Sequence, residues 1–137
     1  MFNDYAYLYV EDDHLSREIM QMIMQNVMGV ERLTILEDSQ NFMTRVQALP
    51  YQPDIILLDI HMKPFSGFEM LDMLRETGRF KNTTVIALTA SVMNEEVEKL
   101  KHSGFNGAIG KPLSIRTFPE IIGRIIQGEA VWHVADS

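Results

Sequence analysis

Three acidic side chains in a row, Glu11, Asp12 and Asp13, follow the apolar run at residues 6–10, and a single acid, Asp59, directly follows Ile55-Ile56-Leu57-Leu58. Carboxylates brought together from separate segments repel one another unless one is protonated or a cation lies among them. A hard divalent ion with oxygen ligands meets that need, and a small site that keeps several waters suits Mg²⁺. Taken alone, three consecutive acids are also what a solvated loop contains. Asp59 differs, because four uniformly apolar residues before it read as a strand buried on both faces. A carboxylate held at the inner end of such a strand beside a cation can attack phosphorus and form an acyl phosphate. Transfer of that kind asks mainly for positioning and for charge stabilisation at the phosphoryl oxygens. Thr89, which closes the run Val85-Ile86-Ala87-Leu88, can supply a hydroxyl hydrogen bond, and Lys111 an ammonium. Ala90 is small enough to leave an approach path.

These residues are useful together only if strand ends bring them to one rim. Apolar runs at residues 6–10, 33–36, 55–58, 85–88 and 108–109 alternate with longer stretches of helical periodicity. In the first helix Leu15, Ile19, Met22, Ile23 and Val27 are expected on one face. Further helices are expected over 39–49 and 68–77, around Met93, Val97 and Leu100, and finally along Phe118, Ile121, Ile122, Ile125 and Ile126, with Ser114 as N-cap. Five strand–helix repeats imply parallel strands with right-handed crossovers covering both faces of the sheet. In such sheets functional groups collect beyond the carboxyl ends of the strands. Residues 1–128 read as one domain, and 129–137, which carry Trp132, show no pattern.

With 137 residues the chain is long enough for one substantial core, and 46% apolar against 23% charged residues is the balance of a globular protein. Nineteen acidic and twelve basic side chains, net charge −7, lack the basic footprint that nucleic-acid backbones require. No cysteine is present, which removes disulfides and thiolate metal sites and favours a reducing, cytoplasmic setting. No signal-peptide pattern opens the chain, and no apolar run approaches the roughly 20 residues of a membrane span.

Residues 5–127 resemble a two-component receiver domain, on the segments Leu8-Tyr9-Val10-Glu11-Asp12-Asp13, Ile56-Leu57-Leu58-Asp59-Ile60-His61-Met62, Gly67, Val85-Ile86-Ala87-Leu88-Thr89-Ala90 and Gly110-Lys111-Pro112. The resemblance implies an α/β flavodoxin-like (βα)5 three-layer sandwich with parallel strand order 2-1-3-4-5. It implies that Asp59 is the phosphoacceptor and that Thr89 and Lys111 contact the phosphoryl group. The metal site it implies holds Mg²⁺ through Asp12 directly, Glu11 through water, Asp59, and the main-chain carbonyl of His61. The donor would be a histidine kinase or a histidine phosphotransfer protein docking on the first helix, where Met20 and Met24, part of a stripe with Met28, are candidate contacts. Wrapping of that stripe into the core is the other reading.

Three departures from the family pattern stand out. Lys63 occupies the place where a proline usually follows the methionine, with Pro64 next. Ala108 stands where the family commonly has Tyr or Phe, so switching by rotation of that ring is not expected; Phe105 is assigned to packing. His61 sits two residues past the nucleophile, where it would help or hinder an attacking water or simply line the rim. A cis Lys111–Pro112 bond would aim the lysine inward. Glu95, Glu96, Glu98, Lys99 and Lys101 read as a solvated face. Residues 128–137 are too few for an output domain, so the signal is expected to leave through a surface for a downstream protein target. The expected chemistry is confined to transfer onto and off the chain itself, not turnover of another substrate. Competing readings are a phosphate-independent interaction module and a receiver cut from a hybrid kinase. An aspartate-nucleophile phosphatase would want a second Asp where His61 stands, and a flavin site would not carry Glu11-Asp12-Asp13 after the first strand.

Overall fold

Alternation along the strands decides the layers. In the computed structural model, which describes residues 1–90 and 93–133, Tyr7–Val10 (β1), Leu33–Leu36 (β2), Ile55–Asp59 (β3), Thr84–Thr89 (β4), Gly107–Gly110 (β5) and Trp132–His133 (β6) form one parallel sheet. Its order is β2-β1-β3-β4-β5-β6. Helices His14–Gln21 (α1), Phe42–Gln47 (α2), Gly67–Glu76 (α3), Asn94–Ser103 (α4) and Thr117–Ile126 (α5) make the crossovers. Successive strand side chains point to opposite faces. Tyr7, Tyr9, Ile55, Leu57, Ile86, Leu88 and Ile109 therefore pack with residues of α1 and α5. Leu8, Val10, Ile56, Leu58, Val85, Ala87 and Ala108 pack with residues of α2, α3 and α4 on the other face. The expected three-layer sandwich with the order 2-1-3-4-5 is present, extended by one strand.

The first helix differs from expectation. It continues beyond α1 as a π-helical stretch, Met22–Val27, whose wider turns rotate the buried face away from a uniform 3.6-residue stripe. Met20, Ile23 and Met24 are fully buried and Met28 nearly so, while Leu15 and Val27 are 62% and 50% exposed. Leu15 and Val27 are thus corrected from core to surface. Met20 and Met24 are corrected from docking candidates to core, since they have no surface to offer a partner. Phe105 is buried and meets the Phe68 ring edge-on, a packing role as expected. Ser114 accepts from the Thr117 N–H at 3.2 Å and so caps the approach to α5.

The tail without a sequence pattern supplies β6; its residues 134–137 lie outside the described residues. Val131 is buried, and its carbonyl accepts from the Ala108 N–H at 2.8 Å. The approach depends on Gly107, where a Cβ would stand 2.6 Å from the Val131 carbonyl oxygen. Gly107→Ala is expected to push β6 off the sheet and to cost about 1–2 kcal/mol for the lost hydrogen bond and apolar burial. Trp132 is the chain's single tryptophan, so a red-shifted emission spectrum checks the prediction. Unchanged emission with unchanged stability would show that β6 does not need the glycine.

Candidate functional site

The acidic run Glu11-Asp12-Asp13 leaves β1 and divides its members among three jobs. Asp13 is the N-cap of α1, its Oδ2 accepting from the Ser16 N–H at 2.9 Å and the Ser16 hydroxyl at 2.8 Å. Those bonds hold its carboxyl below the usual carboxylate range. Glu11 turns inward and is fully buried, whereas Asp12 is exposed at the rim. Period-two alternation puts Glu11 on the same side as Tyr9, whose hydroxyl donates to Glu11 Oε1 at 2.9 Å. Arg17, one turn into α1, donates to the Glu11 carbonyl at 3.0 Å and fixes the start of the loop.

Asp59 ends β3, between β1 and β4, and is 5% exposed. Its Oδ1 accepts from the His61 N–H at 3.4 Å. Gly67, the first residue of α3, allows this helix to lie against the segment, since a Cβ there would be 2.8 Å from the Asp59 carbonyl oxygen. Lys111 follows β5, and the Lys111–Pro112 bond is cis, as is Lys63–Pro64. The Lys111 ammonium donates to Glu11 Oε1 at 2.9 Å and stands 3.6 Å from Asp59 Oδ2. Its main-chain N–H donates to the Thr89 carbonyl at 2.8 Å, which ties the ends of β4 and β5 together. Thr89 is buried at the end of β4, one residue beyond the Leu88 that pairs with Asp59.

One carboxylate oxygen from each of Glu11, Asp12 and Asp59 lies within 4.8 Å of the others. The sequence expectation of converging acids therefore holds, with Lys111 turned toward two of them. The charge balance is poor: among the described residues, three carboxyl groups face the one ammonium that contacts the cluster. Burial, and then the hydrogen bond and negative charge of Glu11, push the Asp59 carboxyl up to about 7. Burial also works against ionised Glu11, but its bonds to Asp59, Lys111 and Tyr9 outweigh it and hold that carboxyl below the usual range. Burial likewise works against the Lys111 ammonium, and the two carboxylates more than offset it. The Tyr9 hydroxyl is pushed well up by burial and by Glu11, so it stays a donor. A pocket of hard oxygen donors that raises the proton affinity of one member fits a small divalent cation.

His61 contributes its main chain beside Asp59, and its side chain is exposed. The sequence reading did not single out Tyr9 or Arg17. Tyr9 was detectable, since residues two apart on a strand share a face, whereas Arg17 requires knowing where α1 begins. The charged run on α4 is only partly a solvated face, because Glu96 and Val97 are half-buried there.

Comparison with known proteins points the same way. A sequence model described as the response regulator receiver domain matches residues 7–123. The polar-differentiation response regulator DivK of Brucella anthropi is 28% identical over 116 residues, covering 84% of this chain and 90% of that protein. The structure of chemotaxis response regulator CheY4 of Vibrio cholerae superposes with a TM-score of 0.78 at 24% identity, over 88% of this chain and 98% of that one. The receiver domain of sensor histidine kinase PA1611 from Pseudomonas aeruginosa, which has a magnesium ion coordinated in its active site cleft, gives 0.76 at 22% identity, over 90% and 98%. At these identities the structural likenesses speak for the fold alone.

Proposed function

The chain belongs to the response regulator receiver family, and from that premise we propose that it accepts a phosphoryl group on Asp59 and signals through a protein surface. The observation that carries the reading is the convergence of Glu11, Asp12 and Asp59 around a gap closed by Lys111. An Asp59 carboxylate oxygen attacks the phosphorus of the donor, a P–O bond forms, and the bond from phosphorus to the leaving group breaks. Lys111, held between Glu11 and Asp59, lies within reach of a phosphoryl oxygen and offsets its growing charge. The Thr89 hydroxyl donates to a second oxygen. Glu11, Asp12, Asp59 and the His61 main-chain carbonyl would hold Mg²⁺, which when bound neutralises the crowded carboxylates and the phosphoryl oxygens. The chain turns over nothing but its own phosphoryl group.

The donor is a phosphohistidine on a histidine kinase or phosphotransfer protein, working in the cytoplasm. Support for a docking face comes from Leu15 and Ile115, exposed at 62% and 52% in segments that leave the ends of β1 and β5. Between those segments runs a small cleft lined by Tyr9, Ser16, Ile19, Lys111, Pro112 and Leu113. Among the described residues no helix is long and apolar enough to cross a membrane.

Incubation with a small phosphodonor and Mg²⁺, followed by intact mass, tests the reading. One phosphoryl adduct is expected, and chelation of the metal before donor addition is expected to prevent it. A folded chain that takes up no phosphoryl group would instead be a phosphate-independent interaction module.

A further inference from the structure

Lys111 is carried by a strand poorly equipped to aim it. β5 reads Gly-Ala-Ile-Gly, so Ile109 is its only large side chain. Glycine in a strand packs nothing and leaves the backbone free to move. On one side β5 is tied to β4, where the Lys111 N–H donates to the Thr89 carbonyl at 2.8 Å. The other side would be an open edge if residues 131–133 did not lie along it. There Ala108 and Ile109 pair with Trp132 and His133, and the Ala108 N–H donates to the Val131 carbonyl at 2.8 Å.

This last segment is anchored in both layers. Val131 is 3% exposed and belongs to the cluster that contains Ile109 and the apolar face of α5. Trp132 packs against the opposite cluster, which contains Ala108, and the Lys101 ammonium of α4 lies 5.6 Å from its ring centre. The seat is shaped for what fills it, since the missing Cβ of Gly107 makes room for the Val131 carbonyl. β5 is thereby an interior strand, bonded on its outer side three residues before Lys111. When Glu11 and Asp59 turn to a cation and a phosphoryl group, the main chain is what keeps the ammonium aimed. We propose that Val131 is a positioning residue: by docking β6 it holds β5, and through β5 it aims Lys111 at the phosphoryl oxygen. The inference rests on Asp59 being the phosphoacceptor. Coupling of this kind is mutual: what the docked strand adds to the hold of Lys111 on a phosphoryl oxygen, that hold returns to the docking of the strand.

Initial rates of adduct formation on the full chain, followed by intact mass with a small donor and Mg²⁺, read the effect. Val131→Ser is expected to shift Trp132 emission to the red as β6 undocks. Its labelling rate at saturating donor should fall about tenfold, short of the roughly hundredfold that an ångström of misplacement can cost. Val131→Ile, which keeps a β-branched apolar side chain, should label as the wild type does. Adding Val131→Ser to Lys111→Met is expected to slow labelling no further than Lys111→Met alone, because no ammonium is left to aim. A loss of structure alone would multiply the two effects. Circular dichroism checks that each variant keeps its sheet. Hydrogen exchange needs no undocked variant. While donor and Mg²⁺ keep the chain phosphorylated, the Ala108 amide should exchange about tenfold more slowly, by the same mutual coupling. In Asp59→Asn, under the same conditions, it should not change. A wild-type labelling rate beside a red-shifted Trp132 in Val131→Ser would overturn the positioning role. So would effects that multiply in the double variant, or an Ala108 amide indifferent to phosphorylation. Absence of any adduct on the wild-type chain would overturn the phosphoacceptor reading and this inference with it, an outcome readily told apart from a changed rate.

Discussion

Lys111→Met is expected to slow labelling of Asp59 by about a hundredfold or more, the loss seen when a preorganised charge or donor is taken from a transferring group. Methionine keeps the length and much of the bulk of the side chain but removes the ammonium that touches Glu11 at 2.9 Å and faces Asp59 at 3.6 Å. Two effects add. The growing charge on the phosphoryl oxygens loses its fixed counter-charge, and the Asp59 carboxyl, which Lys111 helps keep ionised, rises further, so less of it is the nucleophilic carboxylate. Initial rates of adduct formation at fixed donor and Mg²⁺ measure the effect, with circular dichroism to show that the sheet is intact. A rate within threefold of wild type, beside an intact fold, would remove Lys111 from the chemistry.

Asp59→Asn is expected to stabilise the metal-free chain at pH 8 while abolishing its labelling. Burial, followed by Glu11, raises the Asp59 carboxyl from 3.8 to about 7 in the folded chain. The folded state therefore holds a proton between roughly pH 4 and pH 7 that the unfolded state has released. Stability falls as pH rises through that window, and the whole cost is present above it. A shift of about three units caps the cost near 4 kcal/mol; the opposite shift of the Glu11 carboxyl offsets part of it. Asparagine carries no charge to desolvate, so its variant should melt several degrees higher at pH 8. Near pH 4 the gap should close, because Asp59 is then neutral in the folded state. Mg²⁺ at pH 8 should narrow it too, by stabilising the wild type more than the variant. Equal melting temperatures at pH 8, or the same gap at both pH values, would mean that Asp59 is not under electrostatic strain.

The site was legible in the sequence because its residues close strands, and strands are the segments that apolar runs mark most clearly. Ile55-Ile56-Leu57-Leu58 placed Asp59, and Val85-Ile86-Ala87-Leu88 placed Thr89, each within a residue of the observed strand end. Asp13 was separable from Glu11 and Asp12 only through the resemblance; in the structure it serves as the cap of α1. The far end of the first helix was misread because a regular period was carried through Met22–Val27, where the turns are π-helical. That accounts for Val27; Leu15 and Met20 lie before it, in regular helix, where two adjacent apolar stripes competed and the methionine stripe is the buried one. The last strand was invisible because two residues make no pattern, and its docking depends on a glycine 24 positions upstream of Val131. Glu96 was hidden in a run of charges, since nothing local distinguishes a side chain that is half-buried there.

Where the phosphoryl group sits is the most direct question to put to the protein. Reduction of the labelled chain with borohydride converts an aspartyl phosphate to homoserine, which peptide mass spectrometry can locate. Homoserine at position 59 alone is the expected result. Conversion at Asp12 or Asp13, or a phosphoryl group retained on His61, would contradict it.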